Sequence, residues 1–215
     1  LLKPLKLAGE DRNYYLWLSE EEKQQGKDAL LAAGVDLSRP LIAMGVNSLG
    51  HYKRWPIDCF AKVAQWLIEQ HDAQILIYCG PGEEEYNRGL KPLLPAALQA
   101  SVFDHIKTRS VRELVGLFAH CRLFVGNDTG PRHMAQAIDL PLLTIVAPGG
   151  DKIIANPVNH PRYQAIDVFD AKGPDFQLPQ NVEKDFIDEA LLRAITPELV
   201  IERLTALPGW QAATP

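Results

Sequence analysis

Several features are missing from this 215-residue chain, and each absence excludes a class. No run approaches the roughly 18 apolar residues that mark a membrane-spanning helix, and no secretory signal pattern is read in these residues. A basic excess is also lacking: 22 Lys and Arg stand against 27 Asp and Glu, a net charge of −5. A surface that tracks a phosphate backbone should be basic, so nucleic acid is not the expected ligand. A small anion is not excluded, because it needs only one local cluster of donors. Cysteine is scarce. Cys59, Cys79 and Cys121 are odd in number, widely spaced and set among apolar residues. They read as small core residues of a reducing compartment, not as a disulfide frame or metal site.

Absent motifs narrow the chemistry further. No G-x-G-x-x-G follows a strand pattern, which disfavours a dinucleotide dehydrogenase. There is no G-x-S-x-G elbow and no Walker lysine loop. His51, His71, His105, His120, His133 and His160 are scattered without metal-ligand spacing. No metal and no cofactor are therefore expected. Internal repeats and low-complexity tracts are not apparent either.

What is present is ordinary globular material, 47% hydrophobic and 23% charged. The length suggests one large domain, or one domain with additions. Ser19-Glu20-Glu21-Glu22 forms a capping box for a helix to about Ala33, with Gly34 as its stop. Strand-like runs then alternate with helical patterns. Leu41–Val46, Gln74–Cys79, Val102-Phe103, Leu123–Gly126 and Leu142–Val146 read as strands. Phe60, Val63, Ala64, Leu67 and Ile68 share one helix face. A helix opens at Glu83-Glu84-Glu85, a capped one at Ser110, another runs from Pro131 to Ile138, and a last starts at Thr196-Pro197-Glu198. Continuous apolar strands between amphipathic helices predict βαβ units, an α/β fold with a Rossmann-like doubly wound parallel sheet. Ligands of such sheets bind beyond the carboxyl ends of the strands.

Three strand-end loops carry candidate chemistry. Asn127-Asp128-Thr129-Gly130-Pro131-Arg132-His133 joins a strand to a helix. Free N–H groups at Thr129 and Gly130, with the Thr129 hydroxyl, would face a phosphate at the positive end of the helix dipole. The plainer alternative is that Asp128 or Thr129 simply caps the helix. Asp128 would accept backbone N–H bonds, orient His133 or hold a sugar hydroxyl. His133 either reaches the same pocket or is a satisfied structural histidine. In the second loop, Asn47 to Pro56, Lys53 suits a diphosphate whose charge grows as it leaves, or else Lys53-Arg54 is a solvated pair. In the third, a carboxylate after Gly80-Pro81-Gly82 would hold ribose hydroxyls, or the Glu residues only complement the helix dipole.

Together these loops resemble glycosyltransferase family 9, the heptosyltransferases of lipopolysaccharide core assembly. The matching segments are Lys53-Arg54-Trp55-Pro56 with Phe60-Ala61, Gly80-Pro-Gly-Glu-Glu-Glu85, and Phe124-Val-Gly-Asn-Asp-Thr-Gly-Pro-Arg-His133-Met-Ala-Gln-Ala137. Ile195-Thr-Pro-Glu-Leu-Val200 is similar to the family's ending. The likeness covers about Leu41 to Leu207, and D-T-G-P-x-H is its specific part.

The resemblance implies the C-terminal half of a GT-B enzyme that transfers heptose from ADP-heptose to the lipopolysaccharide core, with inversion and without a divalent metal. Carried onto this sequence, Lys53 would neutralise the diphosphate and the departing ADP. Glu83 would bond the ribose. Asp128, Thr129 and Gly130 would line phosphates and sugar, and His133 would complete that pocket. Thr108 to Ser110, including Arg109, would lie near adenine, and Asn47 and Ser48 join the substrate-binding set. Two departures stand out: Arg132 occupies a position where Met or another apolar residue is common, and Asn47-Ser48 differs from a threonine-type pattern.

Residues 1–36 are expected to be the end of an N-terminal half, a linker and an entry helix; 37–215 are expected to form the nucleotide-sugar domain. The chain starts at Leu1 rather than Met, and the resemblance puts the acceptor contacts and catalytic base in an N-terminal half that this sequence does not match. Expected partners are the nucleotide sugar and, through that other half, the core acceptor. The expected location is the cytoplasm, with peripheral association at the inner membrane compatible with it. The rival reading is a non-catalytic nucleotide-binding module.

Overall fold

The computed structural model describes residues 14–48, 50–78, 84–152, 160–179 and 189–211. Helix α1 (Glu20–Ala32) opens with the expected box: Ser19 Oγ accepts from Glu22 N–H, and the Glu22 carboxylate accepts from Ser19 N–H. Gly34, at φ +88°, closes it. The chain then runs β1 (Leu41–Gly45), α2 (Ile57–His71), β2 (Gln74–Ile77), α3 (Glu84–Arg88), β3 (Val102–Phe103) and α4 (Val111–Phe118). It continues through β4 (Leu123–Asn127), α5 (Gly130–Ala137), β5 (Leu142–Ile145), β6 (Tyr163–Ile166), α6 (Val168–Lys172), α7 (Glu189–Arg193) and α8 (Pro197–Ala206). The sequence reading named no element between Lys152 and Ile195, and so missed β6, α6 and α7.

The six strands form one sheet in the order β3-β2-β1-β4-β5-β6, every described pairing parallel. This is the expected Rossmann-like doubly wound α/β fold. Alternation along β1 sends Leu41 and Ala43 to one face and Ile42 and Met44 to the other, all buried. On one side, α2 supplies Phe60, Val63, Leu67 and Ile68, and α8 supplies Val200 and Leu204. On the other, Leu30 of α1 joins Leu117 and Phe118 of α4 over Leu76 and Phe124. Full burial of each such side chain contributes about 1.5–3 kcal/mol, so two covered faces explain why the strands read as unbroken apolar runs.

Helix α1 lies against α4 through glycine. A Cβ on Gly26 would fall 2.2 Å from Gly116 O, and one on Gly116 would fall 2.9 Å from Glu22 O. Leu30 and Val35, in the stretch expected to hold the entry helix, pack into the core of the sheet domain. Among the described residues no helix is long and apolar enough to cross a membrane.

Winding reverses between β1 and β4. From β1 the chain moves outward to β2 and β3, then returns to β1's other side as β4. At that switch point the two following connections diverge to opposite faces and leave a crevice at their carboxyl ends. Gly45 and Gly126 stand in register there. A Cβ on Gly126 would sit 2.7 Å from the Gly45 Cα, and one on Gly45 would meet the Tyr78 hydroxyl at 2.6 Å. The two glycines let the strand ends and the Tyr78 ring approach each other under the crevice.

Candidate functional site

Past β1, Asn47 and Ser48 are buried, and Ser48 N–H donates to Asn47 Oδ1 at 2.8 Å. A single 3-10 turn, His51–Lys53, then carries Lys53 outward. Arg54 secures this turn from behind. Its Nε donates to Ser48 O at 2.8 Å, its Nη1 lies 2.6 Å from His51 Nδ1, and its guanidinium stacks 4.7 Å from the Tyr86 ring centre. Trp55 is fully buried, with its Nε1–H on Ile195 O at 2.8 Å.

The two motif loops are stapled by one amide. Asn127, at the end of β4 and fully buried, accepts from Trp55 N–H at 3.0 Å and donates to Val46 O at 2.8 Å. Lys53-Arg54-Trp55 and Asn127-Asp128-Thr129 therefore sit in fixed relation, 72 residues apart in sequence.

In the second loop Thr129 is the N-cap residue of α5 by backbone conformation, φ −145° and ψ 168°, but its side chain caps nothing. The hydroxyl lies 3.5 Å from Asn127 O. Capping by Thr129 is thus excluded as the reason for this residue. The helix begins at Gly130, one residue earlier than expected, with Pro131 in its first turn. Its N-terminal amides and dipole favour a negative group at this point. Asp128 Oδ1 is 3.7 Å from His133 Nε2, so of its three open roles the geometry displays contact with His133.

A cavity of about 820 Å³ lies over the switch point. Asn47, Ser48 and Lys53 come to it from the β1–α2 loop, Asp128, Thr129 and Gly130 from the β4–α5 loop, and Arg109 from before α4. Tyr78 and Leu114 add an apolar wall that the sequence reading did not assign to the site. Ser110 Oγ caps α4 through Glu113 N–H, while the Glu113 carboxylate accepts from Arg109 N–H at 2.7 Å. A second cavity of about 350 Å³ shares Tyr52, Lys53 and Asp128 and extends to the Pro148–Gly150 loop after β5. Among the described residues no carboxylate pairs with Lys53, whose ammonium stands 5.9 Å from the Tyr52 ring centre. His133 lies behind Asp128 rather than on the wall of the larger cavity. Glu83 and Gly80-Pro81-Gly82 lie outside the described residues.

Behind α5 is a network that the sequence did not reveal. Arg132 is fully buried; its Nε donates to Thr144 Oγ1 on β5 at 2.9 Å, and its Nη1 lies 3.3 Å from Tyr14 Oη and 3.0 Å from His133 Nδ1. Tyr14 Oη is also 3.0 Å from His133 Nδ1. Burial, reinforced by the Arg132 charge and opposed by Asp128, lowers the His133 pKa below its ordinary 6.5. Burial likewise lowers Arg132 and raises the Tyr14 phenol.

Sequence comparison supplies what geometry cannot. The model of "Glycosyltransferase family 9 (heptosyltransferase)" matches residues 3–184. The chain belongs to glycosyltransferase family 9. Lipopolysaccharide heptosyltransferase 2 of Salmonella typhimurium is 26% identical over 210 residues, covering 95% of this chain and 58% of that protein. Lipooligosaccharide heptosyltransferase 2 of Haemophilus influenzae is 26% identical over 170 residues, 79% of this chain and 47% of the relative. The chain spans about half the length of the curated relatives it matches. Among solved structures, a family 9 glycosyl transferase of Veillonella parvula superposes with a TM-score of 0.75 at 19% identity, covering 96% of this chain and 57% of that one. E. coli ADP-heptose lps heptosyltransferase II superposes with a TM-score of 0.68 at 24% identity, covering 90% and 53%. This likeness identifies the sheet domain as one Rossmann-like half of the GT-B architecture.

Proposed function

We propose that this chain supplies the donor-binding half of a heptosyltransferase-like enzyme, holding a nucleotide sugar whose nucleoside diphosphate occupies the larger cavity. The observation that carries this reading is the pairing, at the switch point, of an ammonium without a carboxylate partner with an uncapped helix N-terminus on the facing loop. Family membership supports glycosyl transfer, and relatives named as heptosyltransferases support heptose from ADP-heptose as the donated group, with the lipopolysaccharide core as acceptor.

In this reading the base stacks near Tyr78, Arg109 and Leu114. The diphosphate lies between Lys53 and the first turn of α5, and the sugar points past Asp128 toward the Pro148–Gly150 loop. Glu83 is the proposed ribose ligand. Lys53 stabilises the negative charge that gathers on the leaving diphosphate as the glycosidic bond breaks, a charge larger in the transition state than in the bound donor. Asp128 does not ligate phosphate, since two anions repel; it faces the sugar. The base that deprotonates the acceptor hydroxyl belongs to the family's N-terminal half, so the 215-residue chain binds donor without transferring it. Such an enzyme would work in the cytoplasm, at the inner face of the inner membrane where its acceptor is presented.

Calorimetry with ADP, UDP, GDP and NAD, together with a transfer assay, tests the reading. ADP or an ADP-sugar binds in preference to the others, and no sugar reaches a core acceptor. Preference for NAD over every diphosphate would sink the glycosyltransferase assignment. Transfer by the isolated chain would require a base within it.

A further inference from the structure

We propose that Arg132 is a positioning residue that fixes the His133 imidazole as its neutral Nε2–H tautomer and so keeps a hydrogen-bond donor trained on the Asp128 carboxylate.

A guanidinium has five N–H donors and no acceptor. Arg132 Nη1 stands 3.0 Å from His133 Nδ1, so that nitrogen must offer a lone pair. A proton on Nδ1 would set two donors against each other beside a charge that is fully buried. The ring proton is left to Nε2, the nitrogen facing Asp128 Oδ1 at 3.7 Å. Arg132 cannot swing away, because Thr144 Oγ1 on β5 accepts from its Nε at 2.9 Å. The groups facing the imidazole are then Arg132 on its own helix, Asp128 from the preceding loop and Tyr14 from the segment before α1. Tyr14 Oη meets both Nδ1 and Arg132 Nη1, and bridges the two.

The consequence for the site rests on the donor-binding reading. His133 presents toward Asp128 a nitrogen that can give a hydrogen bond but cannot take a proton. It therefore is not a base for the acceptor hydroxyl. It stands instead as a donor set against Asp128, at the junction of the two cavities. Arg132 acts through His133 and touches no ligand in the larger cavity.

Imidazole proton–nitrogen NMR of the 15N-labelled 215-residue chain tests this without any ligand, the His133 signals being assigned by their loss in His133→Gln. The parent should show a single Nε2–H tautomer for His133 and a titration midpoint below 6.5. Arg132→Met should give mixed tautomers and a midpoint moved upward. Tyr14→Phe, which leaves the guanidinium in place, should keep the Nε2–H form. An Nδ1–H tautomer in the parent would overturn the proposal, as would an Arg132→Met spectrum identical to the parent's. Should Arg132→Met not fold, the parent and Tyr14→Phe decide: retention of Nε2–H in both supports Arg132, and its release by Tyr14→Phe alone assigns the role to the phenol instead. Titration of the same samples with ADP-heptose should show binding about three- to tenfold weaker in Arg132→Met, the range expected for one lost hydrogen bond, with ADP itself little changed because Asp128 faces the sugar. A parent that binds no ADP would defeat the donor reading while leaving the tautomer result standing.

Discussion

The β1–α2 and β4–α5 loops meet over one cavity, yet they treat their charges in opposite ways. In the β4–α5 loop the charged groups face polar partners: Asp128 lies 3.7 Å from His133, and His133 is backed by Arg132 and Tyr14. In the β1–α2 loop Arg54 is spent on Ser48 O, His51 and the Tyr86 ring, while Lys53 has no carboxylate partner among the described residues. In the proposed reading, a site that receives an anion and releases a more negative one keeps its cation uncommitted. In the same reading, a site that orients a neutral sugar sets its carboxylate beside a fixed imidazole. Neighbouring Lys and Arg are therefore placed differently: Arg54 holds the loop and Lys53 faces the cavity.

The comparison can be broken most severely at the amide that joins the loops. Asn127→Ala removes a buried donor and a buried acceptor together, orphaning Trp55 N–H and Val46 O. Denaturant unfolding should report a loss of about 2–4 kcal/mol, from one or two unsatisfied buried groups. Stability within 0.5 kcal/mol of the parent, roughly the spread of inert surface changes, would mean the loops hold their places without it. A smaller break is Arg54→Ala. It should weaken ADP by about 1 kcal/mol, since the lost hydrogen bond to Ser48 O frees the turn that presents Lys53. Unchanged ADP affinity would show that Lys53 needs no such support.

Acidification should give the smallest effect and sharpen the comparison. His133 and His71 both have pKa values lowered by burial, so the native state resists the proton that the unfolded state accepts. Below the ordinary value of 6.5 the unfolded chain binds more protons, and stability falls as pH falls toward the lowered native values. Above 6.5 these two groups add no pH dependence. Carboxylates such as Asp58 and Asp139 have values held below the usual 3.8, the first by its Arg193 pair and the second by Arg162 and Tyr163 outweighing burial, and act only at lower pH. Unfolding free energies between pH 7.5 and 5.5 should therefore slope downward in the parent and flatten in a His71→Gln, His133→Gln double variant. An equal slope in both would assign the pH dependence to other groups.

Periodicity carried the sheet well because both faces are covered: unbroken apolar runs marked β1, β2, β4 and β5, and caps marked α1, α4 and α8. It failed after Lys152. Tyr163-Gln164-Ala165-Ile166 is an edge strand with a half-exposed middle, and so lacks the continuous apolar signature. The Lys53 and Asp128-Thr129-Gly130 segments stood out as candidates because they follow strand ends and carry the family-like motif, and the fold brings them to one cavity. Arg132 was legible only as an oddity. Its partners, Tyr14 and Thr144, lie 118 and 12 residues away, and no spacing rule brings a charged side chain into a core. Asn127 was likewise visible only as part of a turn, since Trp55 and Val46 come to it through tertiary packing.

Titration of the parent and Lys53→Ala with ADP and with adenosine tests the central claim most directly. If Lys53 is the uncommitted cation that receives the diphosphate, the variant should bind ADP more weakly by about 1.5–3 kcal/mol, the range for a hydrogen bond to a charged group, with adenosine unchanged. Equal ADP affinity in the two proteins would contradict the account and return Lys53 to an ordinary surface cation.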